Sequence, residues 1–399
     1  MFENIIGHAP VVSELRREIQ GGTLPQAVLI TGPELSGKGS IALEVARSLS
    51  CATDEAPWNC DCSSCSLHRV LQNPETIVLG PRDFASEIVL SAGTLLSDPR
   101  PARVYLFIRA VRKLMLRCDT RFWPEKRISS LIGLLESLSE ALSAVEPPLR
   151  LPEEAELRER TVNAIVDQAL TLVGKLPSEL VPVDMVRNLA TWTHTNAAQG
   201  KKIVILEEAH ALQEAARNAM LKILEEPPRD CYFIMTSSRP GAIIPTILSR
   251  LRRYDLSERT MAEQRSVQTR VFAVDEPRDS LRAFFRSSVV PDTLDAEAMV
   301  ERLRRRVEGV PVEEESLLSD FDRLSDAIGS RTAFGYLTES VLEQLDSATA
   351  DAAMRERYRF FSREMLTHTD WIVQRNMNPH QVYRNLLFSL DDDEGWTAQ

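Results

Sequence analysis

A short apolar run, Ala27-Val28-Leu29-Ile30-Thr31, leads directly into Gly32-Pro33-Glu34-Leu35-Ser36-Gly37-Lys38-Gly39, and a helix-patterned stretch from Ser40 to Leu49 follows at once. This strand–turn–helix order constrains the fold more than any other feature of the chain, because it is the opening step of an α/β unit. The turn fits G-x-x-x-x-G-K. Glycines let backbone amides turn toward a phosphate, the helix start adds partial positive charge, and Lys38 supplies a full one. The other reading of the same residues is a plain glycine-containing βα turn with no ligand.

Two positions depart from a working phosphate loop. Such a loop has Ser or Thr after its lysine, and that hydroxyl holds Mg²⁺. Here the position is Gly39. Ser40 comes next, but one residue further on a helix points about 100° away. The second departure ends an apolar strand, Ile203-Val204-Ile205-Leu206-Glu207-Glu208. In phosphate-loop ATPases the first acid of such a pair is normally Asp, beside the metal, and the second is Glu, which polarises water. Glu207 is one methylene too long for the first role, whereas Glu208 suits the second. Both changes weaken metal holding, so Mg²⁺ is disfavoured, and the loop is read as a site for ATP or as the relic of one.

The rest of the chain alternates strand and helix signals and then becomes helical. Val11 to Ile19 has helical spacing, and so do Leu131, Leu134, Leu135, Leu138, Leu142 and then Val162, Ile165, Val166, Ala169, Val173. Pro147-Pro148 and Pro152 mark a linker between those two. Strands are expected at Lys202–Leu206 and Tyr232–Met235, with a helix from Glu214 to Glu226 between them, stopped by Pro227-Pro228. Beyond Tyr254 no strand pattern persuades, and the Asp391-Asp392-Asp393-Glu394 tail reads as a solvated end. A length of 399 residues suggests two to four domains, and 43% apolar with 26% charged residues is a globular composition that argues against wholesale disorder. No apolar run reaches membrane-spanning length and no secretory signal is visible, so the expected location is the cytoplasm with no membrane partner. A net charge of −11 disfavours a free-standing DNA binder.

Four of the six cysteines, Cys51, Cys60, Cys62 and Cys65, form C-x₈-C-x-C-x₂-C. In a reducing compartment this reads as a Zn²⁺ site with four thiolates, held for structure rather than catalysis. His68 could replace one thiolate, and redox-active or unpaired thiols are the alternative. A second suggestive stretch interleaves Arg103, Arg109, Arg112, Lys113, Arg117 and Arg121 with Tyr105, Phe107, Phe122 and Trp123. It reads either as a nucleic-acid contact or, preferably, as an amphipathic helix with a solvated basic face and an aromatic core side.

The string from His210 to Pro228, HALQEAARNAMLKILEEPP, closely resembles the E-A-A-x-N-A-L-L-K-x-L-E-E-P-P helix of bacterial DNA polymerase III clamp-loader subunits of the AAA+ family. Flanking segments resemble the same family. Thr236-Ser237-Ser238-Arg239-Pro240 stands where the family has its first sensor, and Ile244-Pro245-Thr246-Ile247-Leu248-Ser249-Arg250 resembles L-P-T-I-x-S-R. Leu24-Pro25-Gln26-Ala27 and Ile5-Ile6-Gly7-His8 resemble motifs before the first strand and near the adenine pocket. Asn376-Met377-Asn378-Pro379 resembles the end of the collar domain. The family's zinc module has C-x₈-C-x₂-C-x₂-C in the place of the cysteine cluster, so one residue is missing here, between Cys60 and Cys62.

The resemblance implies an α/β AAA+ domain with a parallel sheet over residues 1–256, a zinc module at about 51–68 and a helical insertion at about 96–180. A helical lid at 257–315 and an all-helical collar at 316–392 would follow. It implies nucleotide contacts from Gly32, Gly37, Lys38, Gly39, Ser40, Glu207 and Ser237, with Glu208 and Arg250 as catalytic residues, Arg250 acting in trans on a neighbour. A second-sensor arginine is not evident, Arg331 being the nearest candidate. Among family branches the spoiled loop matches delta-prime. The implied role is loading of a sliding clamp onto primed DNA, in a hetero-oligomeric ring with gamma/tau and delta subunits, with little or no ATPase activity of its own. Two alternatives remain: an active gamma/tau-type ATPase, against which Gly39 argues, and a zinc-stabilised DNA-binding adaptor, against which the acidic balance argues.

Overall fold

The computed structural model describes the chain except residues 124–127, 147–150, 177–180, 182, 196–199, 292, 346–349, 374, 376 and 391–399. The Pro147-Pro148 linker, Asn376 and the acidic tail therefore lie outside the described residues. The chain divides into two compact units, Met1–Phe285 and Arg286–Gln399.

The first unit is built on a parallel five-stranded sheet. Its strands are β1 (Ala27–Thr31), β2 (Thr76–Leu79), β3 (Lys202–Leu206), β4 (Cys231–Ser237) and β5 (Arg252–Asp255), in the spatial order β2-β3-β4-β1-β5. Register is continuous across the middle: Val28 lies beside Ile234, and Val204 beside Phe233. Alternate residues face opposite sides. Leu29, Ile77, Val204 and Phe233 go into one core, whereas Val28, Ile30, Ile205 and Ile234 go into the other. Both faces are covered, which is why the central strands are apolar throughout.

Helices α1 (Ala9–Gln20) and α2 (Lys38–Leu49) cover the second face. The short α3 (Ser63–Arg69) carries the end of the cysteine segment. The first face is covered by α4 (Phe84–Ser97), α5 (Pro101–Arg117), α6 (Ile132–Ser143), α7 (Ala155–Lys175), α8 (Val183–Thr193) and α9 (Glu214–Glu225), with the one-turn α10 (Pro245–Leu248) at its edge. The expected leucine and valine faces are the buried ones: Leu138 and Leu142 on α6, Val162, Ile165 and Ala169 on α7. After β5 comes α11 (Met261–Phe272), opened by a capping box between Thr260 and Glu263. Helix α12 (Leu281–Val289) runs across the division between the units.

Two strands were not expected. Thr76–Leu79 is four residues long and follows the cysteine segment, so it lacks the length of a clear strand signal. In β5 Tyr254 alone is buried, since it is an edge strand, and its arginines hide the pattern.

Among the described residues the second unit is helical: α13 (Ala296–Val307), α14 (Glu314–Ile328), α15 (Ser330–Gln344), α16 (Ala352–Val373) and α17 (Pro379–Ser389). Its core includes Leu303, Phe321, Phe334, Phe361 and Tyr383. Phe321 and Tyr383 stack with ring centroids 4.3 Å apart. Asn378 caps α17 by accepting from the His380 amide, and Pro379 fills the first helical position, where no amide bond is lost. This α/β sheet domain followed by a helical region is the fold class the sequence implies. Among the described residues no helix is long and apolar enough to cross a membrane.

Candidate functional site

The glycine loop lies at the carboxyl ends of β1, β3 and β4, where open parallel sheets place ligands. Gly37 (φ 91°) caps α2 from the left-handed region, a conformation that residues with a Cβ avoid. The Lys38 ammonium donates to the loop carbonyls of Gly32 (3.0 Å) and Pro33 (2.8 Å) and stands 3.6 Å from Glu208. At the start of α2 the first amides have no intrahelical acceptor, so the loop presents donors and a cation together. Ser40 is exposed on the outer side.

Glu208 leaves β3 in the left-handed region (φ 47°). Its carboxylate accepts from the Ser238 amide (2.9 Å) and hydroxyl (2.8 Å). Burial works against the charged form, but the Ser238 amide and Lys38 outweigh it and hold this carboxyl below its usual range. Ser237 is fully buried, and its hydroxyl meets His210 Nδ1 at 3.0 Å and accepts from the Arg239 amide at 3.1 Å. Lys38, Glu208, Ser237 and His210 thus form one connected polar array. His8 Nε2 meets the Ser36 carbonyl at 2.7 Å, which ties the Ile5–His8 segment to the loop.

Glu207 does not point toward a free metal position. Its carboxylate is held by the guanidinium of Arg82, Nε to Oε2 at 2.9 Å and Nη2 to Oε1 at 2.5 Å. Arg82 also donates from Nη1 to Glu87 at 2.7 Å, and Lys113 of α5 donates to the same carboxylate. Burial opposes the charge of Glu87, yet Arg82 and Lys113 bring its pKa down to about 2. Burial and the neighbouring Arg82 bring Lys113 down to about 8. Arg259, just before α11, donates to the carbonyls of Leu35 and, at 3.3 Å, of Ile6. A Cβ on Gly37 would lie 2.3 Å from its Nη2. Neither Arg82 nor Arg259 was singled out from the sequence, because both lie outside the motif.

Arg250 ends the turn after α10. Its Nη2 pairs with Glu225 at 2.7 Å and its Nη1 donates to the Thr246 carbonyl at 2.6 Å. Arg252 and Arg253 belong to β5 and pair with Glu14 and Asp255 instead. Arg331 lies at the start of α15 in the second unit.

The sulfurs of Cys51, Cys60, Cys62 and Cys65 all lie within 4.8 Å of one another, with Cys51 and Cys60 3.7 Å apart. Four thiolates about 2.3 Å from Zn²⁺ are about 3.8 Å from each other, so the donor set fits that ion. The single residue between Cys60 and Cys62 still lets both sulfurs join the cluster. Cys62 caps α3, and burial opposes its ionisation, but the amides of Ala52 and Cys65 bring its pKa down to about 6. His68 is not part of the cluster; it is buried on α3 and its Nε2 has no partner. Arg47 of α2 donates to Cys65 Sγ (3.1 Å) and to the carbonyls of Ala56 (2.6 Å) and Pro57 (3.2 Å), which fixes the cysteine segment to the loop's own helix.

The basic stretch on α5 is not a solvated face. Arg103, Arg112 and Arg117 are buried. Arg103 donates to the Arg270 and Val271 carbonyls, Arg109 to His68 and Arg69, and Arg112 pairs with Glu146 at 2.8 Å. Arg121 is held by Asp119 and lies over Phe122 and Trp192. These charges tie elements together within the first unit, which corrects the expectation of a solvent-facing side.

Comparison with known proteins shows likeness to one family over part of the chain. The profile of the family described as "DNA polymerase III, delta subunit" matches residues 7–95 and 159–260, just under half of the chain. The chain is a relative of the DNA polymerase III clamp-loader subunits. The DNA polymerase III subunit delta' of Yersinia pestis is 41% identical over 71 residues, 18% of this chain and 21% of that protein. The delta' subunit of Pseudomonas aeruginosa is 42% identical over 71 residues, 18% of this chain and 22% of that one. Subunit tau of Bacillus subtilis is 46% identical over 59 residues, 15% of this chain and 10% of that one. The matched stretch thus spans about a fifth of the delta' relatives' length. A solved gamma subunit-related protein of Thermotoga maritima aligns over 95% of this chain and 98% of that one, at 13% identity and a TM-score of 0.45. The family profile leaves out residues 96–158, which hold α5 and α6.

Proposed function

We propose that this chain is a delta-prime-like subunit of a DNA polymerase III clamp loader, helping to place a sliding clamp on primed DNA. Its own nucleotide site is degenerate, and Arg250 serves a neighbour's site in trans. The observation that carries the reading is the pairing of a family-matched core with a loop whose metal-holding side chains are absent or engaged: Gly39 offers no hydroxyl, and Glu207 is bonded to Arg82. A gamma/tau-type motor needs both groups free for Mg²⁺. The adaptor reading loses support because the basic side chains of α5 are used internally.

Cys51, Cys60, Cys62 and Cys65 would hold Zn²⁺ as a structural crosslink that fixes the knob beside α2. Residues 257–315 would serve as the lid and 316–392 as the collar that meets other subunits of the ring, gamma/tau and delta. The test is assembly. Co-expressed with motor and delta subunits, the chain should co-purify in a complex that loads clamps on primed DNA. A chain that instead retains primed DNA by itself in electrophoresis and joins no motor subunit would overturn the reading in favour of the adaptor.

A further inference from the structure

Gly39 and Glu207 are joined by a residue that the loop motif does not contain. Arg82 follows β2 and reaches the end of β3, where its Nε and Nη2 grip both oxygens of Glu207. A Cβ on Gly39 would lie 2.6 Å from Glu207 Oε1 and 2.9 Å from Arg82 Nη2. In phosphate-loop enzymes the side chain at that position and the acid at the strand end share one Mg²⁺. Here the Glu207 carboxylate and the guanidinium bonded to it both abut position 39.

We propose that Arg82 is the built-in cation of this phosphate loop: it stands in the place of the divalent metal, so that the loop takes the polyphosphate of a nucleotide without a metal ion. A guanidinium keeps its charge at any working pH, and two carboxylates, Glu207 and Glu87, hold this one from two sides. Lys113 offsets the charge of Glu87, which leaves Arg82 balanced by Glu207 alone. Nη2 has a second hydrogen that its bond to Glu207 leaves unused, and this nitrogen faces residue 39. On the anion side stand Lys38 and the free amides at the start of α2. The two departures from the motif then make sense together. Gly39 leaves room for the guanidinium, and Glu207 binds it with both oxygens.

The inference rests on the loop being a nucleotide site, but its test needs no assembled loader, so failure to join motor subunits leaves it untouched. Titration calorimetry of the full chain with ADP and ATP is run in buffer stripped of divalent ions, without a chelator that would also remove zinc, and again with excess Mg²⁺. The expected result is saturable binding in the first buffer and a Kd that Mg²⁺ changes by less than about threefold. Tighter binding with Mg²⁺ beyond that factor, or no saturable heat without it, overturns the proposal. Arg82→Ala should weaken metal-free binding by about tenfold or more, as expected for a lost charge-assisted bond, and should make Mg²⁺ beneficial. Arg82→Lys keeps one charge in place and should retain metal independence if the alanine variant does not fold. Unchanged metal-free binding in a folded Arg82→Ala protein refutes the role.

Discussion

At the scale of single residues, the loop is shaped by what Gly39 leaves out. Any side chain there meets Glu207 and Arg82 at 2.6 and 2.9 Å. Gly39→Thr restores the motif on paper but overpacks the site, so it should cost about 1–3 kcal/mol in chemical denaturation and leave phosphate release negligible. A stable Gly39→Thr protein with clear ATPase activity would show that position 39 alone had silenced the loop. Glu87 gives a pH test of the same network. Its folded pKa, about 2, is below the ordinary 4.5, so its contribution is present above pH 4.5 and is lost as pH falls toward 2. Glu87→Gln should flatten the acid side of the stability profile in urea titrations between those limits. A profile with the same slope would mean that the pair with Arg82 carries no proton linkage. Gly39, Glu207 and Glu208 could be recognised in the sequence because they sit inside motifs. Arg82 could not, because its partner Glu207 lies 125 positions away and nothing local marks the pairing.

At the scale of elements, local patterns told most where an element buries a continuous stripe. Strands β1 and β3 and helix α9 were legible from apolar runs and a proline stop. Strand β5 was not, because one buried tyrosine among charges carries no period. Helix α5 shows a different limit. Its spacing was read correctly as amphipathic, but the fate of its basic side chains depends on His68, Arg69, Glu87 and Glu146, which the chain brings in from elsewhere. The cysteine cluster was legible because metal spacing is a local signal even with one residue missing. Metal analysis should find about one Zn²⁺ per chain, and Cys62→Ser or Cys65→Ser should lose it. Because structural zinc contributes folding energy, both variants should also melt earlier. Protein without zinc and with an unchanged melting temperature would mean that the four thiols pack as ordinary core.

At the scale of the whole molecule, a subunit with an engaged metal position can still contribute chemistry if it lends a side chain to another subunit. Arg250 has the means. Its guanidinium is anchored by Glu225 at the end of α9 and by the Thr246 carbonyl, and about a third of the side chain remains exposed, 32% by area. Arg252 and Arg253, two and three residues further on, are paired with Glu14 of α1 and Asp255 of β5. The three arginines therefore are not one undifferentiated basic run, and the proposed trans role falls on Arg250 alone. An arginine delivered to a γ-phosphate offsets the charge that develops as the phosphate leaves, and in GTPases such residues are worth about 10³–10⁵ in rate. In a reconstituted loader only the site facing this subunit would lose its arginine, so the loss in total turnover is partial. Arg250→Ala should cut clamp- and DNA-stimulated hydrolysis by the motor subunits while the complex still assembles, and Arg252→Ala should do little. Glu225→Ala should fall between them, because it frees the guanidinium without removing it. Equal, small effects from Arg250→Ala and Arg252→Ala would reduce Arg250 to surface charge and leave the chain a purely structural member of the ring.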